Sequence, residues 1–296
     1  MPWLWAVFTV IAAAGQVLRN AAQRELIQTL GTVGATHVRF LFGLPFGLLF
    51  LAIVLTGTGV PMPELGTSMI AWTTIAALAQ IGATALLLAA MRERSFVVTT
   101  AYAKTEPVQV ALFGLVFLGD QVTAGLAAAI AIATAGVLLV SWPRSNAQEI
   151  FTWRPAALGI GSGALFAIAA IGFRGGIRAL ETPSFVVAAT VTLVLGLIIQ
   201  TVVLTAYLAV ADRAVLAAIF RAWRPSLFAG FIGAFSSQMW YLAFSLETAA
   251  KVRTLALVEI LFAQILSRNL FKQNLASREA VGIGLIVIGV IVLLNQ

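Results

Sequence analysis

Along its 296 residues the chain repeatedly runs apolar for about twenty residues before a charge or a proline–glycine cluster stops it. That is the length an α-helix needs to cross a bilayer's hydrocarbon core, where every backbone polar group must be satisfied within the helix. Ten such segments are read, at about residues 3–22, 33–56, 68–91, 96–118, 123–142, 155–173, 184–210, 225–246, 249–271 and 276–294. Only 10% of the residues are charged and the mean hydropathy is +1.02, whereas soluble domains carry about 25% charge. The chain is therefore read as an all-α polytopic membrane protein. The first segment lacks a basic leader and is read as a span, not as a cleaved signal. Gly57, Gly59, Pro61 and Pro63 mark the loop after the second segment, and Gly119-Asp120 a tight turn after the fourth.

The chain also repeats itself. Glu106 and Glu259, two of only 11 acidic residues, stand 153 residues apart, and the same offset carries Pro2 to Pro155, Gly43 to Gly196 and Gly136 to Gly289. A constant offset points to a duplicated unit. The division is residues 1–142 as a first five-helix half, 143–154 as a polar linker and 155–296 as a second five-helix half. Five is odd, so the second copy must enter the membrane from the opposite face. Inverted repeats of this kind are typical of secondary transporters, with the solute site near the midplane between them. Twelve arginines and lysines, Arg19 and Arg24 among them, fall in the connections after odd-numbered segments, against Arg174, Arg178, Lys251 and Arg253 after even-numbered ones. The positive-inside rule then places both termini outside.

Several chemistries are poorly provided for. There is no cysteine and one histidine, which leaves no thiolate and too few ligands for a metal site. No cofactor is expected. The net charge of +7 comes without a long basic run, so a nucleic-acid surface is not expected. Gly159, Gly161 and Gly163 superficially resemble a phosphate loop, but no strand precedes them, and close helix packing is the better reading.

The candidate site residues are the polar and aromatic groups within spans. Ionisable side chains at bilayer depth are expensive and tend to face a bundle interior or wet cavity. Glu106 and Glu259 are read either as a cation- or proton-responsive pair or as an internal clamp with Lys104, Lys251 or Arg253. Lys104 and Glu106 point to different helix faces, so each needs a partner on another segment. Lys104 or Arg39 is a candidate for a substrate carboxylate, and Glu106 for an ammonium. Pro107 is expected to free a carbonyl or kink the fourth segment. His37 is read as interfacial or proton-sensing. Gln16, Gln80 and Gln238 either bond across helices or line a solute path. Tyr102, Trp240 and Tyr241 are candidate aromatic walls.

Glu106-Pro107, then Phe117-Leu118-Gly119-Asp120, then Gly136-Val137-Leu138-Leu139 resemble the half-repeat signature of the drug/metabolite transporter superfamily, EamA type. Asp120 stands where that family usually has glutamate. In the second half Ile260 replaces the proline and Gln273 the acid. Within the superfamily the chain is most similar to the YddG-type aromatic amino acid exporters. The resemblance implies ten helices in two inverted repeats around a central cavity. It further implies a multi-pass protein of the bacterial inner membrane that exports small amphipathic metabolites, aromatic amino acids first, by alternating access. The expected partners are a small-molecule substrate and the lipid bilayer, with the protein a monomer. An exporter of another substrate class is the alternative. An intramembrane enzyme ranks below it for want of a nucleophile–base pair or metal ligands, and a channel for want of charge rings.

Overall fold

The computed structural model describes residues 3–93, 103–140, 153–262 and 277–295. Among these residues the regular structure is helical, with no strand. In chain order the helices are α1 (Leu4–Leu41), α2 (Leu44–Thr58), α3 (Thr67–Glu93), α4 (Glu106–Phe113, continued by a π-helical turn at Gly114–Leu118) and α5 (Ala124–Val140). They are followed by α6 (Trp153–Arg178), α7 (Phe185–Ala211), α8 (Arg213–Arg221), α9 (Trp223–Leu246), α10 (Ala249–Leu255, then a 3₁₀ turn at Ala256–Val258) and α11 (Ser277–Leu294).

Among the described residues five helical stretches are long and apolar enough to cross a membrane: Leu4–Thr58, Thr67–Arg92, Trp153–Arg178, Phe185–Ala211 and Trp223–Leu246. The first holds 55 residues, roughly 80 Å of helix, more than twice the hydrocarbon thickness. It is divided where α1 breaks at Gly31, whose φ of +66° suits glycine and few other residues. The two pieces, 4–30 and 32–58, match the first two sequence segments, with the turn eight residues later than expected from position 22. Shorter apolar helices span Glu106–Leu118 and Ala124–Val140. Residues 141–152, which hold most of the expected linker, and the end of the ninth segment lie outside the described residues.

The distribution of side chains is that of a protein bathed in lipid. Val7, Ile53, Leu112, Val116, Phe117, Val202 and Val210 are exposed, whereas Arg19, Arg39, Lys104, Glu106, Gln200, Arg253 and Glu259 are buried. In water this pattern would waste the hydrophobic effect and strand charges in the core. In a bilayer it is the expected arrangement.

The most extensive helix pairings are α3 with α6, α1 with α9 and α5 with α11, and α2 packs on α7 and α4 on α10. Small residues permit the close approaches. A Cβ on Gly136 would meet the Gly282 carbonyl oxygen at 2.6 Å and the Ile286 nitrogen at 2.8 Å; one on Gly289 would meet the Ala133 nitrogen at 2.8 Å and the Ala129 oxygen at 3.0 Å. Gly163 of the glycine-rich stretch likewise lies against the Ala103 carbonyl, at 3.0 Å from a Cβ position, so it serves packing. The connection expected at 212–224 contains α8, a short helix capped by Asp212 that buries Ile219.

Candidate functional site: a buried cationic chamber

Both intramembrane glutamates follow an interruption of helical geometry. The backbone makes a turn at Lys104–Thr105 and α4 starts afresh at Glu106. Pro107 therefore lies in a first helical turn, where a missing N–H costs little, and does not kink the middle of a span as the sequence suggested. Likewise α10 tightens into the 3₁₀ turn Ala256–Val258 just before Glu259. Broken helices bring backbone and side-chain polar groups to the interior at membrane depth.

Each glutamate is held by a cation from the other half of the chain. Arg253 is ion-paired and hydrogen-bonded to Glu106, and Lys104 is ion-paired to Glu259. Gln16 donates to the second carboxylate oxygen of Glu259 at 2.7 Å. The Arg253 guanidinium also covers the Trp240 ring at 4.6 Å from its centroid. Of the two sequence readings for the acids, the clamp is the one this geometry displays. Neither Lys104 nor Glu106 is left over for a substrate carboxylate or ammonium.

Two more arginines lie in the same interior. Arg19 is 2% exposed and donates from Nε and Nη2 to the neighbouring Asn20 side chain. Arg39 is also 2% exposed and reaches only hydroxyls, Thr84 Oγ1 and Ser237 Oγ, both at 3.3 Å. Among the described residues no carboxylate forms an ion pair with either. Together with Gln16, Gln80 and Arg253 they line a cavity walled by Phe166, Phe173, Trp240, Tyr241 and Phe244. Phe173 and Tyr241 pack with centroids 4.7 Å apart. The cavity measures only about 20 Å³, room for about one water. Small-molecule sites measure some 300–1,000 Å³, so the chamber is shut in this conformation.

The remaining sequence candidates fall into place as follows. Gln80 lines the chamber and accepts from Gln200 at 2.7 Å. Gln238 turns away and donates to Thr190 Oγ1 at 2.9 Å, bonding across helices and not along the chamber wall. His37 is wholly buried among protein groups, with Nε2 3.0 Å from Thr205 Oγ1, and does not line the chamber. Tyr102 lies outside the described residues. A second, wider groove of about 760 Å³ runs past Leu18, Leu26, Arg221 and Phe228 and shares no lining residue with the chamber.

Arg19 is the residue that sequence reasoning misplaced. The sequence reading makes it a loop arginine setting topology, yet α1 continues to Gly31 and carries it inside. The signal was there: Gln16, Arg19, Asn20 and Gln23 are spaced three, one and three apart, one polar helix face in an apolar segment, and all four are buried. Arg253, read from the sequence as a loop cation or a clamp partner, is also a lining residue of the chamber. Taking Arg19 and Arg253 out of the loop count leaves the charge asymmetry standing.

Outside the chamber, Asp120 after α4 accepts two hydrogen bonds from Arg174 of α6, at 2.9 and 3.1 Å. The aspartate of the sequence signature therefore tethers the halves. No group of three or more His, Asp or Glu able to hold a metal occurs among the described residues.

No protein-family model matches the chain, and no curated protein matches it. Among solved structures 28 chains match. One, described only as the crystal structure of a protein, superimposes with a TM-score of 0.69 over 98% of this chain and 94% of its own, at 13% identity. At that identity the likeness is one of fold alone.

Proposed function

We propose that the protein is a secondary transporter of the drug/metabolite exporter type. In this reading ten spans form two oppositely inserted five-helix halves, and alternating access to the chamber moves a small amphipathic metabolite out across a bacterial inner membrane. The observation that carries the reading is the shut polar chamber itself, lined by α1 and α3 from the first half of the chain and α6, α9 and α10 from the second, and walled by aromatic rings.

The duplicated architecture has support from helix ends that recur at the offset of 153. Residue 32, the first after the Gly31 break, corresponds to Phe185 at the start of α7, and Thr58 at the end of α2 to Ala211 at the end of α7. Packing is reciprocal under the same shift. Gly136 meets Gly282 and Ile286, and Gly289 meets Ala129 and Ala133, each residue standing for its counterpart. The pairing of α1 with α9 likewise exchanges with that of α6 with α3. Reciprocity of this kind is the signature of a two-fold axis. With five spans per half, that axis lies in the membrane plane.

Arg39 and Arg19 suit an acidic group on the substrate, and Trp240 and Tyr241 suit a flat apolar body. Aromatic amino acids meet these two requirements but bring an ammonium for which Glu106 is not free. The test is flux in proteoliposomes loaded with labelled phenylalanine or its deaminated analogue 3-phenylpropionate. Saturable efflux of either, several-fold faster than from empty vesicles, is expected. No excess flux of either at any pH would overturn the assignment of an aromatic substrate.

A further inference from the structure

The chamber is not electrically balanced. Lys104 and Arg253 neutralise Glu259 and Glu106 one for one, and both pairs cross between the halves. Arg19 and Arg39 then remain, two guanidiniums at 2% exposure whose hydrogen bonds go only to neutral side chains and which leave the cluster with two positive charges in excess. Burying an uncompensated charge is costly, and proteins normally pair such groups. The unpaired donors extend further. The indole Nε1–H of Trp240, also on the chamber wall and 4% exposed, has no hydrogen-bond acceptor. Charged and neutral donors thus converge on one cavity, while both carboxylates that could serve a cation are occupied.

We propose, resting on the transporter reading above, that the chamber's substrate is a small organic anion with an apolar body and no ammonium group. Its carboxylate or equivalent oxyanion lies between Arg39 and Arg19, and its body lies against Tyr241 and Trp240. Guanidiniums bind such oxyanions through paired, charge-assisted hydrogen bonds. An ammonium brought into the same space would add a further cation and find no free carboxylate. With two charges in excess, a second acidic group on the substrate is accommodated and adds affinity. The chamber must open to admit even a benzene ring, since its present volume of about 20 Å³ holds no more than a water or so. Binding is therefore coupled to the movement of one half against the other.

The test uses purified full-length protein in detergent and four ligands that share a phenyl ring and differ in charge: phenylsuccinate, 3-phenylpropionate, phenylalanine and phenethylamine. Affinities are read by calorimetric titration, and stabilisation by thermal shift, since a ligand of the folded state raises the melting point. The expected order is phenylsuccinate at least equal to 3-phenylpropionate, 3-phenylpropionate about tenfold or more tighter than phenylalanine, and phenethylamine without effect, because a buried site rejects a group it leaves unpaired. Arg39→Gln should weaken 3-phenylpropionate about tenfold or more, and Arg39→Lys should restore part of the loss. Should either variant fail to fold, the wild-type order decides alone. Phenylalanine binding as tightly as 3-phenylpropionate, or neither anion binding, would overturn the proposal. Saturable phenylalanine flux alongside that result would leave the transporter reading in place and remove only the anion assignment.

Discussion

Glu106→Ala is expected to destabilise the protein by about 3–5 kcal/mol, the usual cost of leaving one member of a buried ion pair behind. The wild-type carboxylate is 4% exposed and its partner Arg253 7% exposed, so solvent cannot take over the lost charge. Arg253 would then stand beside Arg19 and Arg39 as a third uncompensated guanidinium in one interior. The double variant Glu106→Gln, Arg253→Gln removes both charges and should recover a large part of the loss. That non-additivity separates an ion pair from simple loss of packing. Reversible unfolding in mixed micelles gives both values. The exposed Glu181 serves as control, its alanine variant staying within about 0.5 kcal/mol of wild type. A Glu106 variant as stable as the Glu181 variant would mean that the clamp between α4 and α10 contributes nothing.

The second large effect is steric. In lipid there is no hydrophobic drive to join two apolar helices, so α5 and α11 associate through close backbone contact at small residues. Gly136→Ala inserts a carbon 2.6 Å from the Gly282 carbonyl oxygen, and backbone, unlike a side-chain tip, cannot swing aside. Overpacking of this kind costs about 1–3 kcal/mol. Gly289→Ala makes the reciprocal clash and should cost about the same, a similarity that follows from the two-fold relation between the contacts. Gly284, on the same helix as Gly289, has nothing within 4 Å of its Cβ position, and Gly284→Ala should change little. The same unfolding measurement compares the three. Equal tolerance at positions 136 and 284 would argue against the α5–α11 contact.

The long apolar helices were legible in the sequence because apolar run length answers directly to bilayer thickness. The offset between Glu106 and Glu259 was legible because acids are rare enough here for a pair to stand out. The helix breaks were not. Pro107 looked like a mid-span kink, since nothing local shows that the helix ends at Lys104–Thr105 and begins again at Glu106. Gly31 gave no warning among 25 glycines, and missing it moved Arg19 from the interior to a loop. The partner of each charge was likewise out of reach. Lys104 lies two residues from Glu106 and pairs instead with Glu259, a choice made by tertiary packing across 155 positions of chain. Gln238 and His37 show the converse: polar residues in apolar segments that each find one partner, Thr190 and Thr205 on α7, away from the chamber, while Gln238 Oε1 and His37 Nδ1 have none among the described residues.

If two copies of one unit lie upside down to each other across the membrane, corresponding loops open to opposite sides. Pro61 and Ala214 are both exposed, lie at corresponding places 153 residues apart, and occupy a chain that contains no cysteine. Single cysteines at these two positions can therefore be probed in intact cells with a membrane-impermeant maleimide against a clean background. Labelling of Pro61→Cys without permeabilisation, and of Ala214→Cys only after it, is the outcome the account predicts. Labelling of both from the same side would contradict it.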